Sequence, residues 1–296
     1  MKKVFLVVIF ALICGAISAQ SGEKTGSLLW RISGNGLTQP SYVFGTHHAY
    51  PVSFLDSVAG LQQAFASSQQ VVGEIVMTEM MALGLELQRA GMMPPDSTWQ
   101  MLLSEYDFRF VDEQLTAFLG VGLQAIGVLR PFMVNMMWSV AFLQKKFPEM
   151  TPGEPMDSWF QQQATSRGIP VIGLESVMDQ MDAFGTGSLR RQAADLVCGL
   201  RNIDHGEYVI RKLNRLYRTA DLSGLFAMLR EDSPCPTNVE WETAMNDARN
   251  KRWLEKLPAI IADKPSFIAV GAMHLPGEVG ILVGLQRAGF TVEAVK

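Results

Sequence analysis

Three of the four histidines in the chain fall in two matching contexts. Tyr42-Val43-Phe44-Gly45-Thr46-His47-His48 and Phe267-Ile268-Ala269-Val270-Gly271-Ala272-Met273-His274 each read as an apolar strand that ends in Gly-x-x-His and leads into a helix. Glycine permits the tight exit of a buried strand. The histidine then emerges just past the strand's carboxyl end, the edge at which open α/β sheets bind ligands. A third apolar run, Val71-Val72-Gly73-Glu74-Ile75, is interrupted by Glu74. A buried carboxylate needs a cation, a metal or hydrogen-bond donors. Two histidines and one glutamate from three strand ends make a two-His, one-carboxylate site with positions left open for water and substrate. A metal there lowers the pKa of bound water and polarises a carbonyl. The competing reading pairs Glu74 with a buried arginine, for which Arg249 is the candidate, and the two readings are compatible.

Other polar residues admit two roles each. Arg249 orients a substrate carboxylate or stabilises an oxyanion, or it pairs with Glu74, Glu175 or Asp157. Asn250 hydrogen-bonds a loop backbone or a ligand. Glu175 follows a strand end as Glu74 does, which suits a carboxylate that orients a histidine, and the adjacent Ser176 suits a helix N-cap. Asp157 at a helix start reads most simply as a capping-turn residue. His205, in Asn202-Ile203-Asp204-His205-Gly206, reads as an exposed residue in a loop between helices. No Gly-x-Ser-x-Gly elbow, no cysteine-protease motif and no phosphate-binding glycine loop with a lysine is present. Serine hydrolases, cysteine proteases and nucleotide-dependent enzymes are thereby disfavoured.

The elements that must position these residues follow from apolar spacing. Strands are expected at 28–32 and 41–45 around a Gly34-Asn35-Gly36 turn, then a helix over 53–67 and a buried strand over 71–76. From 78 to 147 the spacing is helical, broken at Met93-Pro94-Pro95, Gly120-Val121-Gly122 and Arg130-Pro131. A loop over 151–155, a helix over 156–167 and a strand over 169–174 follow. Helices dominate 177–257, and the chain closes with strand 266–270, helix 277–288 capped by Gly289, and strand 291–295. Strands alternating with helices imply an α/β layered fold, here with a helical middle lobe over the sheet. The methionines of that lobe are adaptable core filler.

The 296 residues are 48% hydrophobic and 18% charged, with a formal charge of −4. This excludes a disordered or low-complexity chain, and the lack of a basic surplus excludes nucleic-acid binding as the default. Lys2 and Lys3, the apolar run 4–13 and the small residues Gly15, Ala16, Ser18 and Ala19 form a secretory signal peptide over residues 1–19. Cleavage after Ala19 or after Ser18 leaves an exported protein, periplasmic or extracellular, with one domain from about residue 20 to 296. Arg130-Pro131 interrupts the one other long apolar stretch, so no stable membrane span is expected after signal cleavage. Cys198 and Cys235 remain in the mature chain. In an oxidising compartment they form a disulfide; the alternative is two separate buried thiols.

These motifs, in this order, resemble the TraB/GumN family, which includes the animal Tiki proteins. The resemblance spans most of the mature chain. It rests on Gly45 to His48, Glu74, Met156-Asp157-Ser158-Trp159-Phe160, Gly168 to Glu175 with Gln180, Arg249-Asn250, and Gly271 to Gly277 followed by Gly280-Ile281-Leu282. Tyr217 and Asp221 fall where the family tends to place a Tyr and an Asp. The adjacent histidines leave His47 as an alternative ligand, although the spacing favours His48. The resemblance implies a mixed central sheet built from two similar halves and wrapped by helices. It also implies a metal-dependent hydrolase, in the Tiki case a protease acting on peptides with Mn or Co as metal; Zn also suits the donor types.

Three functions follow as expectations. The first is an exported metal-dependent hydrolase of peptide or other amide or ester bonds, with His48, Glu74 and His274 holding the metal or serving as base. The second is a non-catalytic exported protein that sequesters a peptide or small ligand in the same polar cluster. The third uses the histidines without metal, as a general base beside an arginine and a glutamate.

Overall fold

The computed structural model describes residues 26–150, 154–236 and 238–296. The expected signal-peptide segment and most of the expected 151–155 loop lie outside them. Six strands form one mixed sheet: β1 (Leu29–Ser33), β2 (Ser41–Thr46), β3 (Gln70–Gly73), β4 (Val171–Gly173), β5 (Ser266–Gly271) and β6 (Thr291–Ala294), in the spatial order β4-β3-β5-β2-β1-β6. β1 and β2 form the expected antiparallel hairpin, with Leu29 opposite Phe44 and Ile32 opposite Ser41. Its turn takes positive φ at Gly34 (77°), Asn35 (47°) and Gly36 (82°), a run that glycine and asparagine tolerate and branched residues do not.

The functional half of the sheet is parallel. β2 pairs with β5, β5 with β3, and β3 with β4, so four carboxyl ends share one edge. Strands covered on both faces need apolar side chains throughout, and β5 accordingly buries all six of its residues. The two glycine–histidine motifs are neighbours by register, with Gly45 beside Val270 and Thr46 beside Gly271. A Cβ on Gly45 would stand 3.0 Å from both Cα and Cβ of Ala272. That glycine is what lets the two strand exits approach.

One core packs helices against the sheet through Phe44, Phe160, Phe267 and Trp253. A second core, around Trp99, Val111, Leu115, Val134, Phe142 and Leu196, holds the helical middle together. Helices Glu105–Leu119, Pro131–Lys146 and Leu189–Arg201 build it. Pro131 opens its helix at the first turn, where the missing N–H matters least. Cys198 and Cys235 form a disulfide.

Several boundaries shift for local reasons. The expected 53–67 helix is a 3-10 turn, Val52–Ser57, and a separate helix, Leu61–Ser67, because Gly60 adopts φ 71° between them. β3 ends at Gly73 rather than at 76, and β4 is only Val171–Gly173. Both chains turn off there, with Leu174 N–H donating to Gly73 O and Glu175 N–H to Glu74 O. The last helix starts at Ile281, after a turn in which Gly277 takes φ 92°. His205 lies inside the helix Ile203–Arg218, not in a loop.

Candidate active site

The site is assembled at the carboxyl edge of the parallel strands. His274 sits in the 3-10 turn Ala272–His274 directly after β5 and is fully buried. Asn250 fixes its tautomer. The Asn250 amide nitrogen donates to the His274 carbonyl at 3.2 Å, so its oxygen is the acceptor for His274 Nδ1 at 2.7 Å. The proton is therefore on Nδ1, and Nε2 presents a lone pair. Arg249 Nη1, a donor only, lies 3.2 Å from that Nε2. Burial first, and then the charge of Arg249, push the His274 pKa down to about 3. His274 is a neutral imidazole throughout the physiological range.

His48 stands on the opposite side, past β2, with about a quarter of its side chain exposed. Its Nδ1 donates to Asp157 at 2.6 Å, and Thr46 Oγ1 donates to the other Asp157 oxygen at 2.8 Å. Burial disfavours the imidazolium, but the Asp157 charge and hydrogen bond outweigh it and raise His48 to about 9. Asp157 is thus more than a capping-turn residue: it orients His48, leaving Nε2 as the outward atom.

Glu74 lies between the histidines. Its Oε1 accepts from the Gly271 N–H at 2.8 Å, and its Oε2 accepts from Arg249 Nη2 at 2.6 Å and from Gln180 at 3.0 Å. Burial opposes its charge, yet Arg249 overrides that and holds the carboxyl well below the usual range. Arg249 also donates from Nε (2.8 Å) and Nη2 (2.6 Å) to Glu175 Oε1, and from Nη1 to Met245 O at 3.1 Å. Every guanidinium nitrogen is engaged inside the protein, and the side chain is 1% exposed. Glu175 therefore anchors Arg249 and touches no histidine, contrary to the expected histidine-orienting role. Burial pushes the Glu175 carboxyl up. Ser176 N-caps the next helix in a reciprocal box with Asp179.

His47, the alternative ligand, faces away from Glu74 into the helical lobe. Its Nδ1 accepts from Ala49 N–H at 3.2 Å and its Nε2 donates to Asn214 at 3.1 Å. Both nitrogens are committed, and burial lowers its pKa to about 4. Tyr217 packs edge-on against it and donates its hydroxyl to Gly45 O at 2.9 Å. Tyr217 thus holds the first motif's backbone and supplies no group to the cluster.

Two contributors carry weak sequence signals. Trp253 stacks on Arg249 at 4.7 Å and donates to Glu175 at 3.3 Å; it is four residues after Arg249, on the same helix face. Gln180 bridges toward both glutamates. The helix that carries Arg249 and Asn250 is preceded by a π-helical turn, Thr243–Asp247, a distortion frequent at functional sites.

A family model described as the TraB/PrgY/gumN family matches residues 28–294. The chain belongs to this family. The match spans every strand of the sheet and all the site residues above. The same comparisons find no match among curated proteins or solved structures.

The metal that the family resemblance implies can be tested against the donors around Gly271. A Cβ placed on Gly271 would lie 3.2 Å from Glu74 Oε1, 3.5 Å from His274 Cδ2 and 3.7 Å from His48 Nε2. The three side chains thus line one small space that exists because residue 271 is glycine. Both histidines have Nδ1 tied to a side-chain oxygen, the arrangement that leaves Nε2 as ligand. The donor set suits a divalent cation in kind. As placed, however, Arg249 bridges Glu74 and His274, and among the described residues no three His, Cys, Asp or Glu side chains form a ready metal group.

Proposed function

We propose that this protein is an exported metal-dependent hydrolase, most simply a peptidase, with its reaction centre above Gly271. The observation that carries the reading is the double tether: Asp157 on His48 and Asn250 on His274 hold Nδ1 of each histidine and turn Nε2 toward the site, where that of His274 meets only Arg249 Nη1, and both histidines border the Gly271 space beside Glu74. His48 Nε2, His274 Nε2 and Glu74 Oε1 would hold a divalent ion, Mn or Co by family resemblance and Zn by donor type. Such an ion supplies Lewis acidity and a water that ionises near neutral pH.

The chain's own groups prepare that chemistry. Asn250 keeps the His274 proton on Nδ1. Arg249 keeps Glu74 ionised in a buried setting where an unpaired carboxylate would take up a proton. Gly271 N–H and Gln180 fix the Glu74 oxygens. Arg249 Nη1 uses the same His274 lone pair that a ligand bond needs, so cation capture and this hydrogen bond exclude each other.

The test is elemental analysis of tag-free mature protein beside His48→Ala and His274→Ala, followed by a peptide-cleavage screen. Stoichiometric metal lost in both variants supports the reading. Normal metal content in both variants overturns it. The Asp157–His48 pair supports a second reading without metal. At about 9, His48 is an imidazolium at neutral pH, able to protonate a leaving group from Nε2. Chelator-resistant turnover that fails in Asp157→Asn distinguishes it. Saturable ligand binding without turnover leaves the sequestering protein.

A further inference from the structure

An apolar cavity, open to solvent on one side, lies beside the reaction centre. His48 and Gly271 line both the cavity and the candidate site, so the two are continuous. Most of the remaining wall is aliphatic or thioether, including Leu143 and Met150 from the helical lobe, Val209 and Leu213 from the Ile203–Arg218 helix, and Leu225 and Met273.

Two features show that this is a recess shaped for an apolar group. First, apart from His48 at the shared border, the polar residues that line it have spent their hydrogen bonds inside the protein: Tyr217 on Gly45, Thr46 on Asp157, His47 on Asn214. No Lys, Arg, Asp or Glu lines it. A cation entering would lose its hydration with no acidic partner. Second, the Ile203–Arg218 helix carries an apolar stripe through Val209, Leu213 and Leu216, yet Tyr217 is its one fully buried residue. The stripe remains half-exposed because part of it fronts the cavity.

We infer that this cavity is the subsite that selects the substrate, and that it accepts an apolar side chain, such as that of Leu or Met, on the residue next to the bond cleaved at His48. The assignment rests on the hydrolase reading above. Its chemistry predicts discrimination of at least about tenfold in kcat/KM between Leu or Met and Lys at that residue, since filling an apolar pocket or burying a cation in it differs by more than one methylene's worth of binding.

The experiment uses the full mature protein in two assays. The first measures kcat/KM on peptides of one frame that carry Leu, Met, Gly, Asp or Lys at the residue beside the cleaved bond. The second measures fluorescence of the neutral probe N-phenyl-1-naphthylamine. Leu213→Trp fills the cavity from its wall, and Val209→Phe is the milder second variant; melting curves establish that each is folded. The expected results are an about tenfold loss of kcat/KM on the Leu peptide with less than about twofold change on the Gly peptide, and probe fluorescence lost in the wall variants but retained in Glu74→Gln. Equal cleavage of all peptides, or probe binding unchanged by both wall variants, overturns the subsite while the hydrolase reading stands. Probe binding abolished by the wall variants with no peptide cleaved by the wild type overturns the hydrolase reading, and with it the substrate role of the cavity.

Discussion

Arg249→Met removes the one cation shared by two buried carboxylates. The guanidinium donates to Glu74 once and to Glu175 twice, at 2.6–2.8 Å, and all three side chains are almost wholly buried. Removing one partner of a buried pair costs about 3–5 kcal/mol, because the abandoned charge must stay desolvated or take up a proton. Methionine keeps much of the packing on Trp253, so the loss is chiefly electrostatic. At about 2–4 °C per kcal/mol, Tm falls by about 10 °C at pH 7. The pH dependence identifies the cause. In the wild type, Glu74 is held below its unfolded pKa, so its contribution is present above about 4.5 and lost as pH falls. In the variant, burial without the arginine raises Glu74 and pushes the already raised Glu175 further up, so stability is instead lost as pH rises through that range. The gap between wild type and variant therefore widens from pH 4 to pH 7. Urea unfolding followed by tryptophan fluorescence and circular dichroism at pH 4.5, 6 and 7.5 measures it. Arg249→Lys, a point charge that cannot span both carboxylates, falls between. Arg249→Met combined with Glu74→Gln and Glu175→Gln recovers most of the loss. A deficit under about 1 kcal/mol that is flat with pH would refute the reasoning.

Gly271→Ala places a methyl 3.2 Å from Glu74 Oε1 and within 3.7 Å of His48 Nε2. With φ near −53°, the backbone there suits alanine, so Tm should change by less than about 5 °C, roughly 1–2 kcal/mol, while bound metal and turnover are lost; retained metal would count against a centre above Gly271. The Cys198–Cys235 bridge closes a loop of sequence separation 37, which by chain entropy is worth about 4 kcal/mol. Cys235→Ser should lower the urea midpoint accordingly, and an unchanged midpoint under reducing conditions would show the bridge to be dispensable. Glu242, whose Oε1 is buried without a partner, is raised to about 7, first by burial and then by Asp247. A raised carboxyl destabilises the fold as pH climbs from about 4.5 through 7. Glu242→Gln should therefore melt higher than wild type at pH 8, by about 1 kcal/mol after allowance for its solvent contact, and equally at pH 4.5.

The candidate site was legible because its signal is one of residue type in an apolar frame. Gly45 to His48, Glu74 and Gly271 to His274 each break a hydrophobic run with a group that such a run does not tolerate without a use. The register of β2 against β5 then makes two separately noticed motifs into neighbours. The alternation of strands and helices gave the α/β class and the hairpin for the same reason, since periodicity is a local property. What the sequence did not carry is how polar groups pair across it. Asp157 looks like any residue in a first helical turn, and only the packing of that helix on β3 and β5 brings its carboxylate to His48, 109 positions away. Glu175, like Glu74, follows a strand that ends in glycine, one residue further on, with Gly173 in register with Gly73, and that symmetry invites equal roles. The structure gives them different ones. Glu74 meets the Gly271 N–H and the open space, whereas Glu175 meets Trp253 and Arg249 behind it. The second carboxylate is what fixes Arg249, and Arg249 is what keeps the first one charged. Without Arg249 a glutamate at this depth would take up a proton, so the carboxylate that looks redundant in sequence is the one that holds the guanidinium in place against Glu74.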